Sequence, residues 1–251
     1  MRILVSNDDG IQAPGIKVLE RIARGLSDDV WVVAPETQQS AASHSLTLHR
    51  PLRVRRISKR RHAVNGTPTD CVFLAFNKIM ADGRPDLVLS GVNDGPNVGE
   101  DVTYSGTIAA AMEATLFGVP AVALSQAYGK GRKHHWATAE HWGGRLLRTL
   151  IERGWPARVL INVNFPDLVT DKVRGIKIVR QGLHNIDDTL DERVDPRGSP
   201  YYWIGAPLPV TSAGQRGTDM DALDQGYVSV TPLHMDLTHR RTLTWLREVI
   251  E

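Results

Sequence analysis

The apolar positions of this chain fall into short unbroken runs separated by helical stripes. Ile3-Leu4-Val5, Val30 to Ala34, Leu87-Val88-Leu89 and Ala121 to Leu124 are such runs, closed by Pro, Asn, Asp or Ser. This is the pattern of strands buried on both faces of a parallel sheet. From Pro14, the residues Ile16, Leu19, Ile22, Ala23 and Leu26 recur at helical spacing, with Arg21 and Arg24 opposite. Strand, helix and strand make a βαβ unit, which requires parallel pairing and a right-handed crossover. Two strands are expected at Leu52–Ile57 and His62–Val64. Thr67-Pro68-Thr69-Asp70 then reads as a helix start, with a threonine cap, proline at the first position and an acid three after the cap. That helix should run to Ile79. Ser105-Gly106-Thr107 opens another through Leu116, and a third spans Trp136–Arg153. Strands follow at Arg158–Val163 and Gly175–Arg180.

From Gly182 to Gly226 the periodicity fails, apart from one short strand at Tyr201–Ile204. A stretch this long without elements reads as an arm, lid or interface. A strand at Tyr227–Thr231 and a helix at Thr242–Ile250 close the chain. The division expected is an α/β catalytic core over 1–181 and a C-terminal arm, strand and helix over 182–251.

Composition changes this picture little. At 251 residues, with 41% hydrophobic and 23% charged residues, the chain suits one large soluble domain or a domain with an appendage. A formal charge of +2 implies no strong field towards duplex nucleic acid or a membrane. The cluster Arg55, Arg56, Lys59, Arg60 and Arg61 reads as a solvated hairpin or loop. The single cysteine, Cys71, forms no intramolecular disulfide, suits a reducing compartment and should pack as a small apolar residue. No apolar run approaches the ~20 residues of a membrane span, and the chain starts on a core strand rather than a signal peptide. A cytoplasmic location is expected.

The candidate chemistry sits in three loops that follow strands: Asn7-Asp8-Asp9-Gly10, Glu36 to Ser45, and Gly91 to Thr107. Ligands of open α/β sheets bind at that carboxyl edge. Together the loops offer two adjacent carboxylates, several hydroxyls and asparagine amides, a hard-oxygen set that suits Mg²⁺, Mn²⁺ or Ca²⁺ better than structural zinc. The helix start at Ser105-Gly106-Thr107 adds free N–H groups and a positive dipole end, hence an anion site. A divalent cation beside an anion site is apparatus for phosphate-ester hydrolysis. No G-x-x-x-x-G-K-[ST], no G-x-G-x-x-G after the first strand and no G-x-S-x-G is present, and Asp8-Asp9 is not D-x-D. His44 reads as either a general acid or an exposed loop residue. His134 and His135 read as solvated, and Tyr201 and Trp203 as interface aromatics rather than base-stacking groups.

Six stretches in order, ILVSNDDGIQAPGI, VVAPETQQSAASHSLTL, VNGTPTDCV, LVLSGVNDGPNVGEDVTYSGTIAAAMEA, INVNFPD and GTDMDALDQGYVSVTPLHMDLT, resemble the SurE family of 5′-nucleotidases. The resemblance implies a three-layer α/β/α Rossmann-like core with a mostly parallel sheet. It also implies a C-terminal arm exchanged between subunits of a homodimer or homotetramer. By the same resemblance, Asp8, Asp9, Ser40 and Asn93 hold one divalent metal cation per subunit. Asn97, Ser105, Gly106 and Thr107 line the phosphate side, and Asp8, Asp9 and Asn97 carry the catalysis. Gln38-Gln39-Ser40 lacks a basic residue that some members carry before the serine, a departure that bears on base preference. The reaction implied is hydrolysis of nucleoside 5′-monophosphates by metal-activated water, without a covalent intermediate. Two alternatives stand beside it: a broader phosphatase acting on 3′-nucleotides or short polyphosphate, and a nucleotide-binding regulatory module without turnover.

Overall fold

A computed structural model describes residues 1–129, 131, 134–183, 190–204 and 215–251. Among them, nine strands form one mixed, mostly parallel sheet. They are β1 (Arg2–Ser6), β2 (Asp29–Pro35), β3 (Val54–Ser58), β4 (Arg61–Val64), β5 (Leu87–Asp94), β6 (Ala121–Gln126), β7 (Val159–Phe165), β8 (Ile176–Ile178) and β11 (Val228–His234). The order across the sheet is β3-β4-β2-β1-β5-β6-β7-β11-β8. Only the β3–β4 and β7–β11 pairings are antiparallel.

Alternation along the buried strands divides the core in two, because successive side chains point to opposite faces. Ile3, Val5, Leu87, Leu89, Val122 and Leu124 pack under α1 (Pro14–Arg24) and α4 (Trp136–Arg153). Leu4, Val33, Val88, Ala121 and Ala123 pack under α2 (Pro68–Leu74) and α3 (Gly106–Leu116). The three-layer expectation is met. Thr67 caps α2 in a reciprocal capping box with Asp70, as its sequence requires. The helix expected to continue to Ile79 instead passes into a π-helical turn at Ala75–Ile79. Cys71 is fully buried on α2, where desolvation pushes its thiol well above the usual range. The basic cluster forms the β3–β4 hairpin, an exposed charged sheet edge of the kind that resists pairing with other chains.

The sequence reading of 182–226 needs correction. The strand expected at Tyr201–Ile204 is there as β10 (Pro200–Ile204), but two further elements lie within the stretch: β9 (Leu190–Val194) and α5 (Asp219–Asp224). β9 and β10 form an antiparallel hairpin in which every strand residue is exposed, so no buried face imprinted an alternation on the sequence. α5 is a short helix with a Thr218 cap, too brief for a helical period to show. Residues 184–189 and 205–214 of the stretch lie outside the described residues. β11 returns to the main sheet between β7 and β8. The last helix, α6 (Arg240–Ile250), has no buried residue. Among the described residues, no helix is long and apolar enough to cross a membrane.

Candidate active site

The sheet order reverses at β1: the chain leaves it on the β2 side and returns at β5 on the other. Such a switch point opens a crevice at the carboxyl ends of the two strands. Asn7-Asp8-Asp9-Gly10 leaves β1 there. Gly10 turns the chain at a φ of +100°, a backbone region open to glycine, and Asn7 Nδ2 donates to the Gly10 carbonyl at 3.0 Å. The Gln39 N–H donates to the Asp8 carbonyl at 2.8 Å, which brings the loop after β2 to the same edge. From the other side, β5 runs on to Asp94, past the glycine at which its sequence seemed to stop. Its register against β6 shifts between Ser90 and Asn93, an irregularity of the kind that re-aims side chains at sites. A cavity of about 730 Å³ opens at this point, lined by Asp8, Asp9, Ser40, Asn93, Asn97 and Ser105 among others.

The two aspartates differ in their surroundings. Asp8 is buried, and Thr107 Oγ1 donates to its Oδ1. The backbone N–H groups of Thr107 and Gly106 also hold its charge, so the anion at the start of α3 is Asp8 itself. A Cβ on Gly106 would lie 2.7 Å from the Asp8 Cβ, so the helix start approaches this side chain as only glycine permits. Burial still pushes the Asp8 carboxyl above the usual carboxylate range, against these hydrogen bonds. Asp9 is pushed up to about 7, first by desolvation and then by the charge of Asp8, with the Asp94 N–H opposing. Two carboxylates raised by burial, one of them further by the charge of the other, are the electrostatic condition that a bound cation relieves.

The neutral donors point the same way. Asn93 Nδ2 donates to the Gly95 carbonyl at 2.9 Å, which turns Oδ1 towards Thr107 Oγ1, 3.2 Å away. The threonine hydroxyl has one hydrogen, given to Asp8, so the Asn93 oxygen keeps its lone pairs. Ser40 Oγ accepts from Gln38 Nε2 at 2.8 Å and retains acceptor capacity. Among the described residues, no three His, Cys, Asp or Glu side chains cluster as a metal site. A cation here would therefore draw on serine and asparagine oxygens beside the two aspartates.

The sequence profile described as Survival protein SurE matches residues 3–188. The chain belongs to the SurE family. It is 60% identical over 240 residues to a protein named 5′-nucleotidase SurE from Paramagnetospirillum magneticum, covering 96% of this chain and 92% of that one. A protein of the same name from Parvibaculum lavamentivorans is 53% identical over 255 residues, covering 100% and 91%. The crystal structure of the SurE protein from Aquifex aeolicus superposes with a TM-score of 0.85 at 38% identity, covering all of both chains.

Within this SurE chain, all four residues expected to ligate a metal line one cavity, together with Asn97 and Ser105. Ser105 also caps α3, its Oγ accepting from the Ile108 N–H at 3.1 Å. Gly106 and Thr107 stand behind Asp8. The histidines differ from expectation. His134 is not a solvated linker residue: its Nε2 lies 2.6 Å from Asp94 Oδ1, and its ring stacks on Trp136. His44 is neither in the cavity nor a free loop residue, since Nε2 pairs with the buried Glu113 at 2.8 Å. Tyr201 and Trp203 lie exposed on the β9–β10 hairpin.

Some of the cavity's walls escaped the sequence reading. Met220, Leu223 and Asp224 bring α5 to it. Asp219, fully buried, accepts from the Gly99, Gly182 and Met220 N–H groups at 3.0, 2.8 and 3.0 Å. A buried carboxylate at the first position of a short helix has no periodic signature.

Proposed function

We propose that this protein is a metal-dependent 5′-nucleotidase that hydrolyses nucleoside 5′-monophosphates to nucleoside and phosphate. One observation carries the reading. Asp8, Asp9, Ser40, Asn93 and Asn97 converge on a single cavity at the switch point of a chain that aligns end to end with proteins of that name. In this reading Asp8 and Asp9, as carboxylates, with Ser40 Oγ and Asn93 Oδ1, hold one divalent cation per subunit. An all-oxygen set with two negative charges fits Mg²⁺ or Mn²⁺. Such a cation supplies Lewis acidity to a phosphoryl oxygen and lowers the pKa of water.

The chain's own residues do the rest. The α3 N-terminus and the Thr107 hydroxyl hold Asp8 in one orientation. Asn97 and Ser105 present hydrogen-bonding groups to the phosphoryl oxygens, where negative charge grows in the transition state. Val98, Tyr104, Met220 and Leu223 give the cavity an apolar side for the nucleoside. Leu190, Tyr201, Trp203 and Ile204 on the exposed hairpin, with Leu243, Trp245 and Leu246 on α6, support association into a homodimer or homotetramer through this arm.

Protein stripped with chelator and resupplied with Mg²⁺ or Mn²⁺ tests the activity. A panel of 5′- and 3′-nucleoside monophosphates and short polyphosphate should show metal-dependent phosphate release, fastest for the 5′-monophosphates. Nucleotide binding without metal-dependent release would overturn the proposal in favour of a binding module.

A further inference from the structure

Asn97 sits on a turn between β5 and α3 with no regular element to hold it, yet its peptide is fixed on both sides. Its N–H donates to Asn164 Oδ1 at 2.7 Å. Its carbonyl accepts from Asn162 Nδ2 at 2.8 Å and from Asn164 Nδ2 at 3.1 Å. Both asparagines lie on β7, and both are fully buried. The Asn97 side chain is directed in turn, Nδ2 donating to the buried Ser125 Oγ at 2.8 Å at the end of β6. Two residues on, Gly99 is held by Asp219 through its N–H and by Gln181 Nε2 through its carbonyl, the latter at 2.6 Å.

Two amides in the middle of a buried strand are costly unless fully bonded. Residues 161 and 163, on the opposite face of the same strand, are apolar core. Asn162 and Asn164 share the other face, and both spend their side chains on the backbone of one residue in a loop some 65 residues away. We propose that Asn162 and Asn164 are positioning residues for the reaction of this site: they clamp the Asn97 peptide so that its side chain meets the phosphoryl group in one orientation. The inference rests on the nucleotidase reading only for the identity of the substrate. The clamp itself is a property of the loop.

A double-mutant cycle tests it. Asn164→Ala should lower kcat for a nucleoside 5′-monophosphate by about 10- to 100-fold, the size expected from displacing a positioned group by a fraction of an ångström. KM and the Mn²⁺ dissociation constant should stay within about twofold. In an Asn97→Ala background, the same substitution should change kcat by less than about twofold, because the group it positions is gone. Equal losses in both backgrounds, or an unchanged kcat in the first, would overturn the clamp. Should Asn164→Ala fail to fold, Asn162→Ser is carried through the same cycle. Hydrogen exchange reads the clamp without turnover: the Asn97 backbone amide should be protected in the parent and lose at least about tenfold of that protection in Asn164→Ala, which removes its acceptor. Unchanged protection overturns the clamp. A parent that releases no phosphate while keeping that protection strikes the function alone.

Discussion

The backbone N–H of Asp94 donates to Oδ2 of Asp9 at 3.0 Å, tying the loop after β1 to the end of β5. This one bond spans the switch point of the sheet. It gives Asp9 one backbone donor against three costs, desolvation and the charges of Asp8 and Asp94. Asp8 has the richer support, from Thr107 and the α3 N-terminus. The two carboxylates therefore answer differently to substitution.

Asp9→Asn should abolish metal-dependent phosphate release, by more than about a hundredfold, the upper end for residues that merely support a metal ligand. It should leave the Tm measured in chelator equal to or above that of the parent, because it removes the repulsion with Asp8. Asp8→Asn should be equally inactive but less stable, since a carboxamide offers one acceptor oxygen where several donors now converge. Thermal unfolding in chelator beside a phosphate-release assay separates the two. Near-full turnover in either variant removes the metal assignment.

The same asymmetry sets a pH dependence. The Asp9 carboxyl titrates at about 7 in the folded chain, against 3.8 for an unperturbed aspartate. Between those values the folded state binds this proton and the unfolded chain does not, so stability falls as pH rises. The contribution is fully present below about 3.8 and lost as pH passes about 7. In chelator, Asp9→Asn should flatten the fall in Tm between pH 5 and about 8 relative to the parent. A proton on Asp9 also competes with a cation, so the Mn²⁺ affinity should drop towards tenfold per pH unit below about 7. Calorimetric titration at several pH values checks this, and a flat affinity would show that no proton on Asp9 competes with the cation.

Much of the fold was legible in the sequence because its causes are local. Ile3-Leu4-Val5 and Leu87-Val88-Leu89 are buried on both faces, and Thr67 with Asp70 writes a capping box in four residues. The two aspartates were legible for the same reason, as adjacent acids where a strand must end. The bonds made by Asn162 and Asn164 were not, since the turn they bind lies some 65 residues away. His134 was misjudged because its partner, Asp94, lies 40 residues earlier. Of the exposed hairpin only β10 was read, from its aromatic run at Tyr201–Ile204; β9 has no buried face to give it an alternation.

Gly106 offers a test of how closely α3 must approach. A methyl group there would lie 2.7 Å from the Asp8 Cβ, 3.0 Å from its Oδ2 and 3.1 Å from the Pro68 ring. Gly106→Ala satisfies helix propensity and should still fold, yet it must displace either the helix start or Asp8. We expect phosphate release to fall by about 10- to 100-fold, with weaker Mn²⁺ binding, since ligand geometry governs both. An alanine variant with unaltered Mn²⁺ affinity would mean that Asp8 has room the structure does not show.

The arm gives the last prediction. Cutting the chain after residue 182 would remove β11, which pairs with both β7 and β8, and so would damage the sheet itself. Substitutions on the exposed hairpin avoid this, because no residue of β9 or β10 is buried. Trp203 and Ile204 are 62% and 84% exposed, apolar surface of the kind that marks an interaction face. The double substitution Trp203→Ser, Ile204→Ser should leave the Tm of the core within a few degrees while lowering the mass measured by light scattering. Deleting α6 from Arg240 onwards should act independently if the helix forms a separate contact, giving a further step down in mass. A parent that is monomeric at tens of micromolar, or variants of unchanged mass, would show that these apolar faces serve something other than self-association.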